Sequence, residues 1–394
     1  MNYVLFDSSA RAALLPFTHT RPVADIRCGI LSMRERWEWL LGAPTGTFTE
    51  DYIQPQFSGP ADEDTCYING AIFGNKELAT AITSLQSGQV LGKAGIVLAA
   101  RISDAPDNIN LFNDYVTQPE AIHYDGFVYG LNNIWDIFTH NDRAIRDDFD
   151  LLTDGRTGAA IPDGVVVAGH PRHLFIEEGA HIYPGCIINA TTGPVYIGKQ
   201  AEVLEGTMMR GPIALCDHSV VKMGAKLYGA TTIGPGCKVG GELNNVVFFA
   251  NSNKSHDGYL GNSVIGEWCN LGADTNCSNL KNNYDVVKVW SEELNTEISS
   301  GLIFCGLHMG DHSKCGINTM FNTGTVVGVA CNIYGGGFPS KHIPSFSWGG
   351  SDGFIIHRFD KAMETAGKMM GRRDKALTPQ EIAMYQHLFN LRKP

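Results

Sequence analysis

Apolar residues recur six apart along Ile197, Val203, Met209, Leu215, Val221, Leu227, Ile233 and Val239. In a chain that is 43% hydrophobic, eight hits in one register arise by chance about once in a thousand trials. A period of six matches neither the 3.6 of a helix nor the 2 of a single strand, so it marks a repeating architecture. Glycine follows several rungs directly (Gly198, Gly234, Gly240), and a small residue stands four beyond others (Ala201, Ser219, Ala225, Thr231, Cys237). This spacing predicts a left-handed parallel β-helix. Three short strands and three tight corners would make each coil, the apolar residue pointing into a narrow prism.

The signal returns at Ile265 and Leu271, and again at Ile303, Met309, Cys315, Phe321, Val327 and Ile333. The breaks from Val239 to Ile265 and from Cys277 to Ile303 are both 26 residues, which is not a multiple of six. Each is therefore expected to extrude a loop from the prism, the first loop carrying residues 253–261. About 18 residues per coil gives roughly eight or nine coils.

A length of 394 residues accommodates two domains. Residues 1–152 predict an α/β domain with a largely parallel sheet. Its strands are expected at 2–7, 65–73 and 94–100, with helices around Ile30, Met33, Trp37 and Leu40 and at 76–85. Residues 153–160 (TDGRTGAA) read as a linker, 161–338 as the β-helix, and 339–394 as a C-terminal tail with helices that closes one end of the prism. Thr378-Pro379-Gln380-Glu381 carries the N-cap, first-turn proline and third-position glutamate of a helix start.

The net charge of -11 argues against a nucleic-acid or anionic-membrane partner, both of which need a basic field. No stretch approaches the ~18 apolar residues of a membrane span. Met1–Asp7 carries no basic, apolar, small-residue export pattern, so a reducing cytoplasm is expected and the ten cysteines read as packing residues.

His256 stands out in the first expected loop, where a near-neutral imidazole suits removal of a proton from an attacking amine or hydroxyl. Glu242 is placed to orient it, and Lys314 to meet a phosphate. His308 and His312 are four apart but fall at different positions about rung Met309, which argues against a shared zinc. In the first domain, Arg34 and Arg36 read as a solvated helix face. Arg21, before Pro22 in a strand-to-helix loop, suits an anion that also meets backbone N–H groups.

These residues resemble a known family. Lys254-Ser255-His256, then Tyr259-Leu260-Gly261, Gly266, Asn270-Leu271-Gly272-Ala273 and Cys277, are similar to the active-site stretch of the bifunctional N-acetylglucosamine-1-phosphate uridylyltransferase/glucosamine-1-phosphate acetyltransferases. The run 253–258 with 278–284, and 14–25 near the start, resemble a divergent bacterial branch of that family more closely. The resemblance spans nearly the whole chain and is more specific in the acetyltransferase part.

It implies a nucleotidyltransferase-like first domain and an acyltransferase β-helix serving UDP-N-acetylglucosamine-type nucleotide-sugar biosynthesis. His256 would be general base with Glu242 orienting it. Lys254, Tyr259, Asn270, Asn279 and Arg21 would bind substrate, and Lys314 acetyl-CoA, with Arg372 and Arg373 near the acyl site. Implied partners are an amino-sugar phosphate, acetyl-CoA and UTP or dTTP, in a homotrimer. The first domain departs from the family. Its glycine-rich GxGxRxxP loop is missing, and Asn69 stands where a magnesium-binding aspartate is usual. Asn133 resembles the second Mg2+ contact. A non-catalytic trimeric scaffold or a nucleotide-sugar-binding regulatory protein is the alternative.

Overall fold

The computed structural model describes residues 2–60 and 64–392. Its contacts divide the chain into two compact units. The first takes residues up to Ile26, Leu31–Asn133 and Thr378–His387; the second takes Arg27–Ile30, Ile134–Leu377 and the residues from Leu388.

The first unit is built on a six-stranded sheet ordered Gly46–Phe48, Asn2–Phe6, Thr65–Asn69, Ile96–Ile102, Val90–Lys93, Ile122–His123. The sheet is mixed, which corrects the expectation of a largely parallel one. Ile96–Ile102 runs antiparallel to both its neighbours because Ala94 and Gly95, both at positive φ, fold Val90–Lys93 straight back in a hairpin. Ser32 and Glu35 close a capping box at the start of helix Met33–Leu41, which buries Met33, Arg36 and Trp37. The arginines are not a solvated face. Arg36 is 2% exposed with its guanidinium 4.8 Å from the Phe73 ring centre, and Arg34 bonds Asp25 (2.5 Å) and Thr47. The Thr378–Glu381 capping pair forms as the sequence predicts, and His387 in the same helix stacks on Tyr52 at 4.4 Å.

The second unit is a parallel β-solenoid. One face stacks nine strands from Leu174–Ile176 to His342–Ile343, and another nine from His181–Ile182 to Ser347–Gly350. The rungs meet inside in one continuous core that includes Val203, Val221, Val239, Leu271, Cys315 and Ile333. Each aliphatic rung so buried contributes about 1.5–3 kcal/mol. All ten cysteines are free and buried. At the C-terminal end Gly353–Ile356 turns antiparallel onto Ser347–Gly350, and Phe346 (0% exposed) meets Phe359 and Phe389 over the bore.

The domain reading ended the first domain at 152, but helix Asn141–Thr153 packs with the solenoid. Its Ile145 and Phe149 join a cluster with Phe175, Tyr196, Ala214 and Ala230, and Asn141 donates to the Ala230 carbonyl at 2.6 Å.

The two breaks in the six-residue register have different origins. The first is not a loop. Between Val239 and Ile265 the inward positions are Leu243, Phe248, Lys254 and Leu260, all 0–1% exposed and all on solenoid strands. Corners are trimmed where Glu242–Phe248 and Tyr259–Ile265 each run round an edge as single strands. Coil spacing accordingly falls from 18 (Val220 to Lys238) to 15 (Lys238 to Asn253) and 17 (Asn253 to Asn270). The second break is an insertion. Asn270 pairs with Lys314, 44 residues on, and the extra chain folds into the antiparallel hairpin Lys288–Ser291 with Thr296–Ser299. Ile303 belongs to that insertion, is 45% exposed and is not a rung.

Candidate functional site

His256 sits on the corner that follows the two-residue strand Asn253–Lys254. It is part of a coil rather than of an extruded loop. Its ring is exposed, and it lines two clefts of about 650 and 500 Å³. The larger has one wall of solenoid residues, Lys238, Asn253, Asn270 and Lys314, and a second wall from helix Phe359–Gly371 and the residues just after it. Five cations line it: Lys238, Lys314, Lys368, Arg372 and Arg373. The smaller is lined by Lys222, Met223, Asp257 and Asp274 on the other side of the imidazole.

The five cations are not equivalent. Arg373 is consumed by the protein: it donates to the Gly236 carbonyl, to Asn251 Oδ1 (3.2 Å) and to Asn253 Oδ1 (3.0 Å), and lies 5.8 Å from the Trp268 ring centre. It fastens the helical wall to the coil. Lys314 donates to the His312 carbonyl at 2.8 Å, and burial depresses its ammonium to about 8. Lys238 and Arg372 are exposed, and Lys368, on the same wall, is held by Glu364 at 2.6 Å. Lys238 and Arg372 are thus the charges left for a ligand. Lys238 and Lys368 were not identified from sequence. Lys238 could have been, since it stands one before rung Val239 and pairs with Asn253.

Glu242 lies on the strand after the preceding corner, and its backbone N–H donates to the Gly258 carbonyl at 3.2 Å. Among the described residues its carboxylate makes no hydrogen bond to His256; the Tyr228 hydroxyl donates to it at 2.6 Å. That bond, with burial, raises the Tyr228 hydroxyl well above its ordinary range. Strand register then lines up Lys226, Glu242 and Tyr259 on one outer face. Asn279, from the base of the insertion, donates to the Tyr259 hydroxyl (3.0 Å) and to Asn262 Oδ1 (2.7 Å). Gly261 makes this possible, because a Cβ there would come 2.3 Å from the Tyr259 hydroxyl and 2.6 Å from Asn279. Of the residues expected to bind substrate, Tyr259 and Asn279 are brought together and Asn270 faces the basic cleft. Lys254 points into the prism at 1% exposure.

In the first unit, a cavity of about 310 Å³ opens at the carboxyl ends of Asn2–Phe6 and Thr65–Asn69, lined by Ser8, Ser9, Asn69, Asn113, Asp114 and Asn132 among others. Arg21 is 7% exposed and lies outside that lining. Asn69 is 3% exposed and has both ends of its carboxamide engaged: Oδ1 accepts from Ala71 N and Nδ2 donates to Val97 O, each at 3.0 Å. Asn132, not Asn133, reaches the cavity. A hard cation prefers charged oxygen donors, so Asn69 and Asn133 do not fit the Mg2+ site expected of them. Asp7 is also committed to the fold. It accepts from Val23 N (2.7 Å) and Thr49 (2.5 Å) and pairs with Arg11, and burial raises its carboxyl to about 6.

Residues 3–157 match a family described as sugar nucleotidyl transferase. A bifunctional sugar-1-phosphate nucleotidylyltransferase/acetyltransferase of Sulfurisphaera tokodaii is 30% identical over 224 residues, covering 57% of this chain and 49% of its own. The bifunctional protein GlmU of Methanocaldococcus jannaschii is 29% identical over 214 residues, covering 54% and 45%. The chain therefore spans about half the length of the curated relatives it matches. Among solved structures, the polySia-specific acetyltransferase NeuO covers 50% of this chain and 86% of its own at 12% identity, with a TM-score of only 0.28. The chain is thus similar over residues 3–157 to the sugar nucleotidyl transferases, and over a little more than half its length to bifunctional sugar-1-phosphate nucleotidylyltransferase/acetyltransferases.

Proposed function

We propose that the protein is a transferase of nucleotide-sugar biosynthesis whose solenoid moves an acetyl group from acetyl-CoA to the amine of an amino-sugar phosphate, with His256 as general base. The observation that carries this reading is that His256 lines both a cleft with five cations and a smaller one that sets Asp257 and Asp274 beside Lys222. Lys238 and Arg372 offer unspent positive charge to a phosphorylated acyl donor on one side. A smaller cleft bearing Asp257 and Asp274 receives the amine-bearing acceptor on the other.

In the reaction, the acceptor nitrogen attacks the thioester carbonyl as His256 takes one of its protons. The tetrahedral oxyanion then collapses, the C–S bond breaks, and the thiolate leaves to be protonated as the free thiol. Glu242, held by Tyr228, and the Tyr259–Asn279 pair bind the acceptor on the neighbouring face. Self-association as a trimer is part of this reading. It is supported by a row of outward apolar residues that strand register aligns, Val166, Ile187 and Met208, exposed by 58, 43 and 42%.

For the first unit, the engaged carboxamide of Asn69 favours a second reading, binding of a nucleotide sugar over metal-assisted attack on a nucleoside triphosphate. Two assays test the whole. Thiol release from acetyl-CoA is followed with a panel of amino sugars and their phosphates, in wild type and His256→Ala. Pyrophosphate release is followed with UTP or dTTP and a sugar 1-phosphate. Thiol release that depends on His256 supports the acyltransferase, release that persists in His256→Ala removes His256 as the base, and no release from either protein leaves the scaffold reading. Steady pyrophosphate release overturns the binding-only reading of the first unit.

A further inference from the structure

Lys254 occupies a place in the prism that the surrounding coils fill with apolar side chains. Its strand partner is rung Val239, and Leu271 takes the same place one coil on. At 1% exposure it is among the largest fully buried side chains of the molecule. Burial depresses its ammonium to about 8, against the opposing pull of Asp257. A buried ammonium is costly, so its presence on the coil that carries His256 requires a reason.

The corner itself supplies one. Three corners on this edge, after Val203, Val221 and Leu271, close with a bond from the fourth residue after the rung back to the first: Thr207 N to Leu204 O (3.4 Å), Ala225 N to Lys222 O (3.2 Å), Thr275 N to Gly272 O (3.3 Å). Those fourth residues, Thr207, Ala225 and Thr275, also point a small side chain inward. After Lys254 the fourth residue is Gly258, at φ +112. Among the described residues its N–H makes no such bond to Ser255 O. The corner is closed from within instead. Lys254 Nζ donates to the carbonyls of His256 (2.8 Å) and Asp257 (3.0 Å).

We propose that Lys254 is a positioning residue for acyl transfer, an internal ammonium that fixes the backbone of the corner carrying His256 by bonding the carbonyls of His256 and Asp257. This rests on the reading of His256 as general base. The lysine does not touch substrate. It sets where the imidazole stands between the two clefts, in place of the backbone bond seen after Val203, Val221 and Leu271.

The test compares Lys254→Met, which keeps length and apolar bulk, with His256→Ala, both as full-length protein in its native assembly. Lys254→Met is expected to keep the solenoid folded, to speed amide exchange at residues 256–258 by ~10-fold or more while residues 239 and 271 stay protected, and to lower kcat on the order of 100-fold with the KM for acetyl-CoA unchanged. Unchanged exchange and unchanged kcat overturn the proposal while leaving His256 as base. An inert substitution at His256 overturns the underlying reading, and the exchange result then still reports on Lys254. A wild-type measurement covers the case in which Lys254→Met does not fold. Under mild amine acetylation mapped by mass spectrometry, Lys254 is expected to stay unmodified while Lys238 and Lys222 react. Labelling of Lys254 at their rate refutes its place inside the prism.

Discussion

The two interruptions of the six-residue pattern have the same length and opposite causes. From Val239 to Ile265 the chain drops residues, tightens two coils and places His256, Glu242 and Tyr259 on them. From Cys277 to Ile303 it adds residues that leave the coil and return. Removing corner residues moves side chains relative to the stack, while adding a hairpin leaves the rungs on either side in register: Cys277 still stands beside Phe321. In this solenoid the shortened coils carry the candidate site, and the insertion reaches over them, as Asn279 does toward Tyr259.

The sharpest way to break this contrast is at the imidazole. His256→Ala is expected to lower kcat for acetyl transfer on the order of 1000-fold, with the assembly intact by light scattering. A result within threefold of wild type would remove the functional meaning of the shortened coils. Next in size is Gly258→Ala. The residue has φ +112, and a Cβ would lie 2.2 Å from the Thr275 carbonyl oxygen, so a loss of about 3 kcal/mol is expected in urea unfolding of the solenoid.

A third effect depends on pH. The Lys254 ammonium is depressed from 10.5 to about 8, so between those values the unfolded chain holds more protons than the folded one and stability rises with pH. Below about 8 the cost is constant. The stability difference between Lys254→Met and wild type should therefore shift by about 2 kcal/mol in favour of wild type between pH 7.5 and 9.5, read from paired urea curves. The smallest effect belongs to the inserted hairpin. Leu294 at its tip is 60% exposed, and Leu294→Ser is expected to change stability by less than about 0.5 kcal/mol and leave acetyl transfer unaltered.

The solenoid was legible because one inward residue per edge is a strict geometric demand, and Ile197 through Val239 meet it without exception. The nature of the first break was not. A gap of 26 can be read as 24 plus two or as 30 minus four, and only the intermediate rungs decide between them. One of those rungs is Lys254, which no hydrophobic pattern would select. Its neighbour His256 was still recognisable from the residues around it. Glu242 was expected to orient His256, but its carboxylate is held by Tyr228, which is remote in sequence and adjacent only through strand register. In the first unit, Arg36 looked solvated because helical spacing alone cannot reveal a ring such as Phe73 waiting on the far side.

The helical wall of the basic cleft has a consequence for the order in which the protein becomes competent. Lys368, Arg372 and Arg373 are made after every coil they complete. A nascent chain whose coils are already stacked therefore displays His256 with nothing opposite it to hold a phosphorylated donor. On the proposed function, donor binding therefore waits for helix Phe359–Gly371 and the two arginines that follow it to be made.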